Sequence, residues 1–384
     1  MRIAPLRQVL RIRTDIVHPS EMPSGEARFV GLEHIESNTG RRIGELKIRL
    51  EELTGRKARF YAGDIVYGYL RPYLNKVWLA DFDGYCSVDQ YVIQVNDAVA
   101  DREFVSQFLR SEAFLKRAPI DLVPGQLPRI RIEELLSVSF ACPALGDQRR
   151  IAAELERQLA NVEAVRASVG VRSAGVDDLR IRLLREFLPL PPQGPWPWVP
   201  LDAVAEFLDS RRRPISAFER ASRTRGVEPD DLVPYYGANG QAGWIDTHLF
   251  DEPLVLLAED GGAFGSARTP IAYRIDGKAW VNNHAHVLRP RPGVDVDFLG
   301  YALSIRPDIE DVISGSTRGK LNRSVAGAIR VPHPPVDMQG RIVGDLRVRL
   351  AAINAMEASI RAERAAIEAL PAALLRRAFG DLAA

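Results

Sequence analysis

The 384-residue chain is poor in cysteine, in net charge and in long apolar runs, and each shortage removes a class of protein. Cys86 and Cys142 are its only cysteines, too few for a disulfide framework or a thiolate metal site. No apolar run approaches the roughly 20 residues that cross a bilayer. The opening "MRIAPLRQVLRIRTD" scatters arginines where a signal sequence would carry a clean apolar stretch. A cytoplasmic protein is expected, neither secreted nor membrane-spanning. Lys and Arg number 51 against 50 Asp and Glu, a net charge of +1, so the chain has no global basic signature and any nucleic-acid surface must be local.

What is present points to a folded protein of more than one domain. Hydrophobic residues at 46% and charged residues at 26% are ordinary globular values, and the length suits two cores better than one. The chain also repeats itself once, at a spacing close to half its length. "FACPALGDQRRIAAELERQLANVEAVRAS" aligns with "RVPHPPVDMQGRIVGDLRVRLAAINAMEAS", matching Pro143 to Pro334, Gln148 to Gln339, Arg150 to Arg341 and Ile151 to Ile342. The apolar positions Ile151, Leu155, Leu159, Val162, Val165, Val169, Val176, Leu179, Leu183 and Leu184 answer Ile342, Leu346, Leu350, Ile353, Met356, Ile360, Ile367, Leu370, Leu374 and Leu375.

Steps of three and four place these side chains on one helical face, at the average of about 3.5 that lets two helices pack along their length. About 30 to 40 residues make roughly 45 to 60 Å of helix, longer than a compact domain is wide. Mutual packing as an antiparallel coiled coil is therefore expected, with local breaks at Gly170 and Gly175 and a kink at Pro371.

Ahead of each helix lies a stretch of strand-like and turn-like character. "PLRQVL" answers "PLDAVA", and "YCSVDQYVIQV" answers "WVNNHAHVLRP". Residues 253–258 and 64–70 read as buried strands, and Asp83-Gly84 and Asp276-Gly277 as hairpin turns. The proline-rich "LPLPPQGPWPWVP" reads as a stiff joint between halves. The expected fold is α+β (mixed α/β), with pseudo-twofold symmetry. Recognition-like domains cover 1–140 and 201–331, long helical regions 141–188 and 332–384, and the joint 189–200.

"FVGLEHIESNTGR", "VPYYGANGQAGWID", "LLAEDGGAFG", "VNNHAHVLRP" and the paired "CPALGDQRRI" and "HPPVDMQGRI" resemble the specificity subunits of type I restriction-modification systems, in order and over essentially the whole length. The resemblance implies two target recognition domains, each reading one half of an interrupted site in double-stranded DNA. It implies helical regions that set the spacing and dock two methyltransferase subunits, with restriction and translocase subunits beyond them. S-adenosylmethionine, ATP, Mg²⁺ and all catalytic residues would then lie on partners, so that this chain holds no cofactor or metal and catalyses nothing. The chain departs from the common Pro-Pro-Leu and Glu-Gln pattern at Ala144 and Gly146-Asp147, and at Val336 and Met338, which touches details of how partners dock.

The candidate DNA-binding residues lie just before each helix, at equivalent places in the repeat: Gln126, Arg129 and Arg131, then Thr317, Arg318, Lys320, Asn322 and Arg323. Arg and Lys neutralise phosphate, and Gln, Asn or Arg can read base edges. Arg211 to Arg213 and Arg56, Lys57 and Arg59 are weaker candidates. An alternative from another class is a metal-dependent nuclease built on Asp260, Asp276 and Lys278; a third is a coiled-coil scaffold that binds no DNA. The first repeat has Tyr85 where the lysine would be, which favours a plain turn. His284 and His286 alternate as two metal ligands might, but with no third ligand evident they read as structural. "DGGAFG" lacks the Walker lysine and reads as a tight turn.

Overall fold

The structure is a computed structural model that describes all residues except 1, 19–23, 45, 122–126, 316–318 and 381–384. It divides into two compact units, one of residues 1–169 with 362–384, the other of residues 170–361. Among the described residues no helix is long and apolar enough to cross a membrane.

In the first unit an antiparallel sheet runs in the order Leu10–Ile12, Gln90–Val95, Ile65–Gly68, Val77–Leu79. Ile65–Gly68 is buried at every position, which is why its sequence reads as an unbroken apolar run and not as an alternation. A further sheet contains a parallel pair, Glu26–Val30 beside Gly84–Ser87, with Phe29 opposite Tyr85. The second unit reproduces this plan. Its strands Ala205–Phe207, Ala285–Pro290, Leu254–Ala258 and Ala272–Ile275 follow the same order. Val233–Gly237 lies parallel to Lys278–Val281, with Tyr235 opposite Trp280. The internal repeat is thus a repeat of topology.

The long helices are Leu145–Phe187 and Val336–Gly380. In the first unit Ala152 and Leu155 share a core cluster with Leu375 and Phe379. In the second unit Leu183 and Leu184 share one with Ile342, Leu346, Leu350 and Ile353, and Arg180 pairs with Glu357 at 2.5 Å. In each unit an early stretch of one helix meets a late stretch of the other, so the pair is antiparallel. The expected breaks at the glycines do not occur: the first helix continues through Gly170 and Gly175, and the second holds Pro371 within its span. A glycine costs a helix only about 1 kcal/mol, less than the apolar seam on either side supplies. The stripe also has gaps, since Val165, Leu179, Met356 and Leu370 are largely exposed. They are equivalent positions in the two repeats.

A second expectation fails at the turns. Asp276-Gly277 joins strands that belong to different sheets: Ala272–Ile275 pairs with Leu254–Ala258, whereas Lys278–Val281 pairs with Val233–Gly237 and Phe250–Asp251. The dipeptide turns the chain, helped by Gly277 at φ 67°, but makes no hairpin. Asp83-Gly84 likewise leads from one sheet to another. Gly84 is required there by crowding, because a Cβ would sit 2.6 Å from the Arg28 carbonyl oxygen.

Two buried glutamines join each recognition fold to its long helix. Gln148 Oε1 accepts from Asp101 N at 2.9 Å while its Nε2 donates to Pro143 O at 2.9 Å. Gln339 does the same with Asp295 N at 2.8 Å and Pro334 O at 2.9 Å, and each Nε2 also donates to the equivalent upstream carbonyl, Val99 O at 3.3 Å and Gly293 O at 3.2 Å. Asp101 and Asp295 are themselves the N-caps of helices Arg102–Leu109 and Val296–Ser304.

Candidate nucleic-acid interface

Before each long helix the chain passes through a short extended segment held on the end of the recognition sheet. In the first unit Arg129 exchanges backbone hydrogen bonds with Asp121 at 2.8 and 3.3 Å, and Ile130 N donates to Tyr69 O at 3.2 Å. In the second, Lys320 exchanges bonds with Ser314 at 3.0 and 2.7 Å, and Leu321 N donates to Glu259 O at 2.7 Å. Ile130 and Leu321 are fully buried. Alternation along an extended chain then turns their neighbours, Arg129 with Arg131 and Lys320 with Asn322, to the other face.

The carbonyl of the buried residue is tethered in both units, by different side chains. Tyr91 donates its hydroxyl to Ile130 O at 3.1 Å, and its ring stacks on Tyr69 with centroids 4.3 Å apart. Burial pushes the Tyr91 phenol up to about 12, so it stays a neutral donor. In the second unit the donor is His286, whose Nε2 lies 2.8 Å from Leu321 O. Its Nδ1 lies 2.6 Å from Asp209. Each ring nitrogen thus faces an acceptor. Burial works against the charge of Asp209, yet hydrogen bonds from His286 and Val287 N, with Arg212 nearby, hold it below the usual carboxylate range.

Asp209, Glu259 and His286 offer ligand atoms within 4.8 Å of one another, so the third group that the sequence did not reveal exists. Cations of the chain itself also meet them. Arg212 lies 2.7 Å from Glu259 and 3.5 Å from Asp209, and Lys320 lies 3.5 Å from Glu259. His284 stands apart, 2.7 Å from Asp260. The cluster holds the Lys320–Leu321 segment in place.

The candidate DNA-binding residues differ in how free their charges are. Arg131 is exposed and pairs with Asp121 at 2.7 Å. Arg129 makes no ion pair among the described residues. Asn322 stands at the N-cap position of helix Arg323–Ala328 without a side-chain cap bond, its Nδ2 donating to Ser314 Oγ at 3.4 Å. Arg323 is turned away, to Asp202 at 2.5 Å and over the ring of Phe207 at 3.5 Å. Gln126, Thr317 and Arg318 lie outside the described residues. Of the weaker candidates, Arg212 is committed to Glu259 and Arg211 to Glu252 at 3.3 Å, whereas Arg59 and Lys57 lie over Tyr85 and Phe29. The sequence reading passed over helix Ala217–Arg223, where Phe218 is exposed beside Arg220 and Arg223. Its signal was an apolar residue on an otherwise polar short helix.

The nuclease trio is not assembled. Leu254 pairs with Ile275 at one end of its strand, and Asp260 follows Ala258 at the other. Six residues of strand, roughly 20 Å, separate the two aspartates. Asp276 instead bonds Arg274 at 2.7 Å. If the chain works in the complex that the resemblance implies, Asp276→Ala and Lys278→Ala are expected to leave that complex's DNA cleavage or methylation within about twofold of the parent. Loss of cleavage with normal DNA binding would revive the metal-site reading.

The chain thus holds a pair of similar folds, each presenting a polar and cationic segment ahead of a long helix. Residues 195–363 match the family described as the type I restriction modification DNA specificity domain. The type I restriction enzyme EcoDI specificity subunit of Escherichia coli is 30% identical over 177 residues, 46% of this chain and 39% of that protein. The match thus spans about two fifths of that relative's length. Among solved structures, a chain from a study of complex assembly and conformational transition of the type I R-M system superposes with a TM-score of 0.75 at 22% identity, covering 98% of this chain and 97% of that one. The HsdS subunit from Thermoanaerobacter tengcongensis gives 0.51 at 22% identity, covering 98% and 96%. At that identity the structures show the fold; the similarity to type I specificity subunits rests on sequence matches over part of the chain.

Proposed function

We propose that the chain is the DNA specificity subunit of a type I restriction-modification complex. Each unit reads one half of a bipartite, interrupted duplex site. The long helices set the gap and dock methyltransferase subunits, with restriction subunits joining the assembly. Catalysis, S-adenosylmethionine, ATP and Mg²⁺ belong to those partners, and the complex works in the cytoplasm. The observation that carries this reading is the recurrence, in both units, of the same tethered segment with Arg129 and Arg131 in one and Lys320 and Asn322 in the other. A scaffold without DNA binding would have no use for two such segments.

The test is binding of the full chain, alone and with its methyltransferase subunit, to a library of duplexes across a range of salt. One preferred bipartite duplex is expected. Combining Arg129→Ala with Lys320→Ala should weaken binding to all duplexes alike and lower the slope of log K against log salt by about 0.9 for each phosphate no longer neutralised. A salt slope unchanged in that double variant would remove both residues from the interface. No preference among duplexes would leave the scaffold reading standing.

A further inference from the structure

The first unit contains a cleft of about 850 Å³ lined in part by Leu79, Glu103, Gln107, Arg110, Glu156 and Leu159. The second unit has its counterpart, reduced to about 260 Å³ and lined in part by Arg274, Asp297, Tyr301 and Leu350. The repeat fixes the correspondence. Asp101 and Asp295 cap equivalent helices, which sets Glu103 against Asp297. Ile151 answers Ile342 on the long helices, which sets Glu156 against Arg347. Strand pairing sets Leu79 against Arg274, since their partners Ile65 and Val255 pair in turn with the equivalent Ile93 and Leu288.

In the second unit the acid is answered twice, with Arg274 and Arg347 each 2.9 Å from Asp297. In the first unit both cations are gone: one position is Leu79, the other is a second acid. Glu103 lies within hydrogen-bonding reach of Glu156, and burial first, then the charge of Glu156, raises its pKa. Neither carboxylate has an ion pair among the described residues. Of the arginines that line the cleft, Arg102 pairs with Asp97, Arg41 with Glu36 and Glu163, and Arg110 donates to the Thr39 carbonyl while its charge also acts on Glu103; Arg149 acts on Asp97. A separate feature points the same way. Gln107, almost wholly buried, gives its Nε2 to Ala152 O at 3.1 Å but its Oε1 meets no donor.

We propose that this cleft receives a guanidinium or primary ammonium group from another molecule, in the place that Arg274 and Arg347 fill in the second unit. Two carboxylates and an idle amide oxygen are three acceptors, and such a cation is a multiple donor that also cancels the charge. Glu156 is exposed, so the group can enter from solvent. It can come from a free polyamine or from an Arg or Lys side chain of a bound protein.

Two experiments on the full chain separate these sources. The first needs no assumption about DNA: the chain is titrated with agmatine and with spermidine by calorimetry, beside Glu156→Arg, which supplies the missing arginine internally, and Glu156→Gln, which removes the charge without added bulk. Binding at roughly millimolar or lower probe that either variant weakens about tenfold (~1.4 kcal/mol) supports a free cation. The second arm rests on the proposed function and measures assembly with the methyltransferase subunit. Assembly weakened about tenfold by both variants, with the melting temperature of Glu156→Arg at or above the parent's, supports a partner side chain. If Glu156→Arg fails to fold, Glu156→Gln decides each arm alone. Absence of both probe binding and any change in assembly overturns the proposal, and a preferred bipartite duplex bound normally in that case leaves the DNA reading intact.

Discussion

Gln339→Leu is expected to destabilise the second unit by about 3 to 5 kcal/mol, far more than the loss of one side-chain hydrogen bond. Leucine keeps nearly the same volume, so no large cavity contributes. The cost comes from what is left behind. Asp295 N loses its acceptor and the Gly293 and Pro334 carbonyls lose their donor, in a place where Gln339 itself is fully buried. A buried group left without a partner costs about 1 to 3 kcal/mol, and two are affected away from solvent, Asp295 N and the Pro334 carbonyl, since Gly293 is exposed. For a unit of this size the melting temperature should fall by roughly 8 to 16 °C. Gln148→Leu should act in the same way on the first unit, where Asp101 N and the Pro143 carbonyl depend on it. Calorimetric melting of each variant provides the check. A fall below about 1 kcal/mol in both would mean that water takes over these bonds, and that the glutamines do not join recognition fold to helix.

These glutamines show what the sequence made legible. Their recurrence in the first turn of both long helices was visible as a match between repeats, but not their partners. Asp101 and Asp295 lie some forty residues upstream, and nothing in the spacing says that a side chain will reach back to them. The long helices were legible because periodicity is local and is reinforced over ten apolar positions. The expected breaks at Gly170 and Gly175 were not, because helix propensity is a small quantity that packing overrides. Hairpins failed for a related reason: Asp276-Gly277 announces a turn, but which strand the chain then pairs with is a tertiary decision. The tether of the cationic segment was hidden more deeply. Tyr91 and His286 hold equivalent carbonyls, Ile130 O and Leu321 O, and an alignment that places tyrosine against histidine gives no hint of a shared role. What they share is a hydrogen-bond donor on a central strand.

The proposed role of the long helices as a ruler carries the other large effect. The two units part after Val169 and after Arg361, and the seam repeats there at heptad intervals, Val162, Val169 and Val176 on one helix and Ile353, Ile360 and Ile367 on the other. Duplicating residues 162–168 and 353–359 together inserts one heptad into each helix without breaking either stripe. Each insertion adds roughly 10 Å of helix. At about 3.4 Å per base pair the preferred gap between half-sites should lengthen by about three base pairs. Three pairs also rotate the duplex by nearly a third of its turn of about 10.5 pairs. Affinity is therefore expected to fall even at the best new gap, by an amount that reports how stiffly the helices hold the two reading surfaces. The half-site sequences should not change, because Arg129, Arg131, Lys320 and Asn322 and the segments that carry them are untouched. Selection from a library of duplexes with varied gaps, by binding or by methylation in the assembled complex, gives the answer directly. Should the lengthened chain fold, assemble and still select the parent gap, the distance is set by something other than the helices, and their part in recognition reduces to docking the partner subunits.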